Sequence, residues 1–194
     1  MKKIFLILLL LYLCLGQQLT VRVFATRERW DANKLSWSPL MIYSYENNTL
    51  KIDSLLKLGI NINEQNQRGW TALHIAIRKG NLATVLFLLN HKANSDLSDT
   101  DGCTPLMLAC GGNHFNIANL LLNFKSDPNK SLENGYTALM AATSFGNIRI
   151  MRLLIDNGAN VNAKRNIDGM TALRLAEYDA NKKKTNFLKR HGAK

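Results

Sequence analysis

The sequence predicts an all-α solenoid of five stacked helix-turn-helix units, each followed by a β-turn finger. An internal repeat is the main observation. The stretches GWTALHIAI, GCTPLMLAC, GYTALMAAT and GMTALRLAE begin at Gly69, Gly102, Gly135 and Gly169, at spacings of 33, 33 and 34 residues. A divergent copy, SWSPLMIYS, begins at Ser36, 33 residues before Gly69. The composition, 46% apolar and 20% charged, is typical of a folded chain and excludes a disordered one.

The chain begins with a basic and apolar segment that is expected to precede the fold. Lys2 and Lys3 are followed by 12 apolar residues, 4–15, which are fewer than the roughly 20 that span a bilayer. This pattern predicts a secretory signal peptide, residues 1–16, with cleavage after Gly16 or as late as Ala25. A retained membrane anchor is the alternative. A lipid anchor on Cys14 is disfavoured, because Leu13 stands where lipoprotein signals carry a small residue.

Removal of residues 1–16 would lower the formal net charge from +11 to 11 − 2 = +9, so the remaining chain stays basic. We expect that chain to be exported to the periplasm or the extracellular space. Residues 17–34 read as a polar lead-in. The five units then occupy 35–67, 68–100, 101–133, 134–167 and 168–194.

Each unit carries the same start and stop signals for its first helix. A hydroxyl residue stands where an N-cap accepts a backbone N–H: Ser38, Thr71, Thr104, Thr137 and Thr171. Pro39 and Pro105 follow at the first helical position, where proline needs no N–H. The helix is expected to end in a left-handed residue at Asn47, Gly80, Asn113, Gly146 and Ala180.

A second helix follows in each unit, centred on paired apolar residues such as Leu88 and Leu89. Its end is expected at Gly59, Lys92, Lys125, Gly158 and Gly192, again left-handed. A lysine in that conformation is strained by up to about 1 kcal/mol. Ile167 is one extra residue, which predicts a wider fourth finger. The charged last helix suits an end on which nothing stacks.

The period and two motifs, TALHIA at residues 71–76 and GANVNA at 158–163, resemble the ankyrin repeat over residues 35–194. The resemblance implies a protein-binding array without catalysis. It also implies that the His74 ring bonds the Thr71 cap. No serine, cysteine or carboxylate recurs at triad or metal spacing, and no glycine-rich phosphate loop is present. We therefore expect no enzyme activity, no cofactor and no metal.

Cys103 and Cys110 lie seven positions apart. Seven residues of helix span about 10 Å, which is beyond disulfide reach. We expect Cys110 in the core and Cys103 on a finger. An intermolecular disulfide through Cys103 is the alternative.

In ankyrin repeats the residue after the finger glycine faces the concave binding surface, and the ends of the first helices adjoin it. The resemblance therefore implies a protein-binding set composed of Trp37, Tyr45, Trp70, Arg78, Lys79, Cys103, Tyr136, Phe145, Met170 and Tyr178. Exposed aromatic and arginine side chains are typical of binding hot spots. We expect a monomer that binds one partner protein as a periplasmic inhibitor or scaffold, or alternatively as a host-directed effector.

The stretch NKKKTNFLKRHGAK at 181–194 carries six basic residues and no acid. It predicts either a solvated capping helix or a surface that docks on anionic lipid or polymer. Nucleic acid is not an expected partner, because few aromatic residues are interleaved with the charges. Membrane contact is expected only through the signal peptide or through this basic end.

Overall fold

The structure, a computed structural model, describes residues 37–194. The signal peptide, both cleavage points, Cys14 and the lead-in 17–34 lie outside the described residues. Between residues 37 and 194 the chain forms ten α-helices and no strand: α1 Pro39–Tyr45, α2 Thr49–Lys57, α3 Ala72–Lys79, α4 Leu82–Asn90, α5 Pro105–Gly111, α6 Phe115–Asn123, α7 Ala138–Ser144, α8 Ile148–Asp156, α9 Ala172–Tyr178 and α10 Lys182–Arg190. None of these helices is long and apolar enough to cross a membrane.

The helices pack in two layers. Each odd-numbered helix packs against the even-numbered helix that follows it. The odd-numbered helices also pack side by side from α1 to α9, which makes a first-helix layer. The even-numbered helices form the second-helix layer, with contacts from α2 through α8. The all-α solenoid of helix pairs is therefore confirmed.

The first helices begin at the hydroxyl caps that the sequence indicates. In each unit the cap side chain accepts the backbone N–H three residues on, as from Thr71 to His74 and from Thr104 to Met107. Ser38, Thr137 and Thr171 cap their helices in the same way. These bonds satisfy N–H groups that have no partner inside the helix.

The helix ends follow the prediction with one exception. Asn47, Gly80, Asn113 and Ala180 are left-handed, with φ between 51° and 75°, and so are all five ends of the second helices, Lys92 and Lys125 among them. Gly146 has no positive φ, so that expectation is wrong. A Cβ atom at Gly146 would lie 2.9 Å from the carbonyl oxygens of Ala142 and Cys110. Close packing, and not backbone handedness, requires glycine there.

The core runs along both layers. Alanines at one repeated position of the first helices, Ala76, Ala109 and Ala142, are fully buried, and their small size lets neighbouring helices approach. Leu88, Leu121 and Leu154 fill the matching place in the second helices. Stacking of identical positions thus produces one continuous core from helices that could not bury their apolar faces alone.

The fourth finger is wider than the others by one residue. In the first three fingers a backbone bond joins residues four apart, as from Asp99 N to Cys103 O. In the fourth, Arg165 N donates to Met170 O, five residues on. The extra residue, Ile167, is exposed, and Arg165 pairs with Asp168 within the turn.

A row of side-chain bonds links each unit to the next. Asn63, Asp96, Asn129 and Asn162 accept the backbone N–H groups of Asn94, Asp127, Asn160 and Lys194, at 2.7 to 3.1 Å. We call this row the Asx ladder. It joins the segment after each second helix to the corresponding segment of the previous unit.

Candidate binding surface

The structure gathers four of the ten expected binding residues into one patch: Tyr45 at the end of α1, Trp70 on the first finger, and Arg78 and Lys79 at the end of α3. We call these four residues the aromatic–basic patch. They come together because α1 and α3 pack side by side in the first-helix layer.

Cation–π contacts join the members of the patch. The Arg78 guanidinium carbon lies 5.2 Å from the centre of the Trp70 ring, and the Lys79 ammonium lies 4.2 Å from that of Tyr45. A positive charge over an aromatic face is stabilised by the ring quadrupole. The Trp37 ring packs against the Tyr45 ring, with 5.5 Å between their centroids and 54° between their planes. The half-buried rings of Tyr45 and Trp70 and the two charges are therefore held in place in the free protein.

Asp99 fixes the orientation of Trp70 from the next finger. Its Oδ2 accepts the indole N–H at 3.0 Å, while Oδ1 accepts the backbone N–H groups of Cys103 at 2.8 Å and Asp101 at 3.0 Å. Burial raises the pKa of the Asp99 carboxyl, and the N–H donors of Cys103 and Trp70 act in the opposite direction. Asp99 is not among the ten residues that the sequence predicts for this surface. An aspartate three residues before the finger glycine was the signal, since Asn66 stands at the same place in the previous finger.

Arg78 lies over the ring of Trp70 and also feels the charge of Asp99. Partial burial lowers the pKa of Arg78, whereas the negative charge of Asp99 raises it. The guanidinium group of arginine is not deprotonated in proteins at neutral pH. The patch therefore carries the positive charge of Arg78, and the part of this side chain that contacts the Trp70 ring is already removed from water.

Three of the expected binding residues are buried, which corrects the sequence analysis. Trp37, Cys103 and Tyr136 expose 9%, 1% and 3% of their surface. Trp37 packs with Met41 and Ile75, whereas Cys103 and Tyr136 belong to the main core. The side chain after the finger glycine turns inward at these positions, so none of the three offers its face to a partner.

Burial also determines the chemistry of these side chains. It raises the pKa of the Cys103 and Cys110 thiols and of the Tyr136 hydroxyl. Both cysteines are free, and Cys110 lies in the core as expected. The alternative of an intermolecular disulfide through Cys103 is contradicted, because a second thiol cannot reach a side chain that is 1% exposed.

The remaining expected residues lie toward the other end of the array. Phe145 directly follows α7, Tyr178 is the last residue of α9, and both are exposed. Met170 on the fourth finger is half-buried. The structure does not bring them into the aromatic–basic patch, since α5 and its unit stand between.

His74 has the structural role that the resemblance implies. Its Nδ1 accepts the Thr71 backbone N–H at 3.2 Å and lies 2.8 Å from the Thr71 hydroxyl oxygen. The ring is therefore neutral, with its proton on Nε2. Burial lowers the pKa of His74 to about 4. Within residues 37–194, no group of three histidine, cysteine or acidic side chains could hold a metal ion.

Comparison with models of known protein families identifies one domain family. The family model described as ankyrin repeats (3 copies) matches residues 40–131 and 121–194, which together cover more than half of the chain. No curated protein matches it.

Proposed function

The chain belongs to the ankyrin-repeat family, and from that premise we propose that it is a non-catalytic module that binds a partner protein through the aromatic–basic patch. Ankyrin repeats are generally protein-binding modules. The observation that carries this assignment is the pair of cation–π contacts, Arg78 on Trp70 and Lys79 on Tyr45, on adjacent elements of one surface.

The composition of the patch supports a binding role. Tryptophan, tyrosine and arginine are the residues enriched at hot spots of protein interfaces. The bond from Trp70 to Asp99 and the ring of Trp37 behind Tyr45 restrict the rotamers of the anchors. Side chains that are already ordered lose less entropy on binding. Lys79 is exposed, and with Arg78 it would pair with acidic groups of the partner and speed its approach.

The chemistry of the buried groups supports a non-catalytic assignment. The thiols of Cys103 and Cys110 have raised pKa values, and the His74 ring is committed to the helix cap. A thiol that resists ionisation is a poor nucleophile, and a neutral imidazole bonded at Nδ1 is not free to act as a base there.

Export is the second part of the proposal. The basic start and the 12-residue apolar run of residues 4–15 support a cleaved signal peptide. We place the mature chain in the periplasm as a monomeric inhibitor or scaffold. Cell fractionation of the full chain beside a variant lacking residues 2–25 tests this placement. Equal distribution of the two proteins would contradict it.

The binding experiment compares two variants that remove aromatic rings from different surfaces. Tyr45→Ala with Trp70→Ala removes the anchors, and Phe124→Ala removes an exposed ring at the end of α6. We expect a protein captured from the cell envelope to bind the first variant at least about 30-fold more weakly, since the loss of even one hot-spot residue costs about 2 kcal/mol or more.

Phe124→Ala should bind that protein like the native chain. Unfolding curves of all three proteins serve as the control for folding. Capture that is equal for both variants and the native chain would refute the proposed surface.

A further inference from the structure

A second surface, on the opposite layer, is strongly basic. Arg149 and Arg152 on α8 and Lys182, Lys183 and Arg190 on α10 are all exposed. We call these five residues the outer basic surface. Over their whole length α8 and α10 contain seven basic residues and one acidic residue, Asp156. The surface is therefore predominantly positive, and it goes beyond the proposed function because the aromatic–basic patch lies on the first-helix layer.

Two arginines of this surface contact aromatic rings of the neighbouring units. The Arg152 guanidinium lies 5.3 Å from the centre of the Phe187 ring on α10. The Arg149 guanidinium lies 3.8 Å from the centre of the Phe115 ring on α6. The charges of α8 thus lie against both flanking helices, and the contact of Arg152 with Phe187 links α8 to α10 within the outer basic surface.

The placement of the lysines in α10 opposes local stability. Lys182, Lys183 and Lys184 occupy the first turn, where the helix dipole favours acidic side chains. Lys184 has a structural role, since it donates to the Thr143 carbonyl. Lys182 and Lys183 are exposed and weaken the helix start. A role outside the fold accounts for two charges that the fold itself disfavours.

Exposed leucines occupy the other end of the same layer. Leu50 on α2 is 80% exposed, and Leu82 and Leu86 on α4 are 40% and 42% exposed. Leu50 stands at the position that Arg149 and Lys183 occupy in later units, and all three are exposed. One layer therefore presents aliphatic side chains in its first units and cationic ones in its last.

We propose that the second-helix layer docks on an anionic phospholipid membrane, with the outer basic surface on the headgroups and the leucines at the acyl boundary. Basic residues near an anionic leaflet gain electrostatic attraction, and neighbouring aliphatic side chains add apolar burial. A nucleic acid fits less well. Exposed leucines do not pair with phosphates, and the rings of Phe115 and Phe187 are covered by arginines instead of being open to stacking bases.

The test uses the full chain with vesicles of phosphatidylcholine alone or mixed with about one-third phosphatidylglycerol. The apolar run at 4–15 would raise binding to both lipids, so the readout is the ratio between the two. The test variant is Arg149→Glu, Lys182→Glu, Lys183→Glu. Its control, Arg68→Glu, Lys125→Glu, Lys164→Glu, makes the same charge change at exposed positions outside the surface. Circular dichroism checks that both variants fold. The glutamates introduced at the start of α10 should stabilise that helix, because the helix dipole favours acidic side chains there.

We expect the native chain and the control to prefer the anionic vesicles, and the test variant to lose that preference by at least about a hundredfold, since three basic contacts each contribute roughly fivefold. The preference should weaken as salt rises to about 150 mM. Three outcomes would overturn the proposal. One is no preference for anionic vesicles at low salt, and another is equal loss in both variants. The third is tighter, surface-dependent binding of duplex DNA, which would assign the surface to a nucleic acid.

Discussion

Acidification from pH 7 to pH 5 is expected to destabilise the fold by about 2 kcal/mol through His74 alone. The pKa of His74 is lowered to about 4 in the folded chain, against an ordinary value of 6.5. The unfolded chain therefore binds more protons between these two values. The neutral His74 contributes roughly 3 kcal/mol to the free energy of unfolding above pH 6.5. This contribution falls progressively as the pH decreases, and it is lost below about pH 4.

His74→Gln isolates this contribution. Glutamine is a natural third residue of a capping box, so its side-chain oxygen can still accept the Thr71 N–H without titrating. Other groups titrate in both proteins. Burial raises the pKa of Asp99 and Asp179 and lowers the pKa of His114, and these effects cancel when the two proteins are compared.

The assay is urea unfolding of both proteins, followed by circular dichroism at the two pH values. Between pH 7 and pH 5 the free energy of unfolding of the native chain should fall by about 2 kcal/mol more than that of His74→Gln. The slope of the free energy against urea concentration should be the same for both proteins. Parallel losses, within about 0.5 kcal/mol, would refute the assignment of a neutral buried His74.

Three further predictions concern the helix ends and the finger residues. Lys92→Gly and Lys125→Gly should each raise the free energy of unfolding by about 0.5–1 kcal/mol, because both lysines are left-handed; a decrease in the urea midpoint would contradict this. Gly146→Ala should lower it by about 1–3 kcal/mol, since the added Cβ meets two carbonyl oxygens at 2.9 Å; a thermal melt unchanged from the native chain would show that the backbone yields freely. Tyr136→Ala should lower it by about 3–5 kcal/mol and Tyr178→Ala by less than about 0.5 kcal/mol, and equal effects would contradict the inward orientation of Tyr136.

Local chemistry explains what the sequence could predict of the fold. The hydroxyl caps, the left-handed ends at Lys92 and Lys125 and the wider turn around Ile167 depend on residues close in the chain. Gly146 differs because its requirement comes from the Cys110 carbonyl of the previous unit, which only the packed array brings near. At the same repeat position, glycine can thus be required for a left-handed backbone in one unit and for close packing against a carbonyl oxygen in another.

The candidate binding surface could be predicted only in part from the sequence. The positions of Trp70, Arg78 and Lys79 follow from the repeat, but the burial of Cys103 and Tyr136 follows from the direction in which each finger side chain turns. That direction depends on the space left by neighbouring units. The support of Trp70 by Asp99 was missed for the same reason, because the two residues lie 29 positions apart.

The Asx ladder bears on how the length of such a chain can change through evolution. Each rung joins an asparagine or aspartate to a backbone N–H about one unit further on, as from Asn129 to Asn160. Duplication or loss of one complete unit leaves every acceptor facing an equivalent donor. An insertion of any other length in a helix changes the separation of the acceptor and the donor in the rung that spans it. Unequal recombination between units is therefore tolerated by the fold, and the array can lengthen or shorten in steps of one unit while its bonding is conserved.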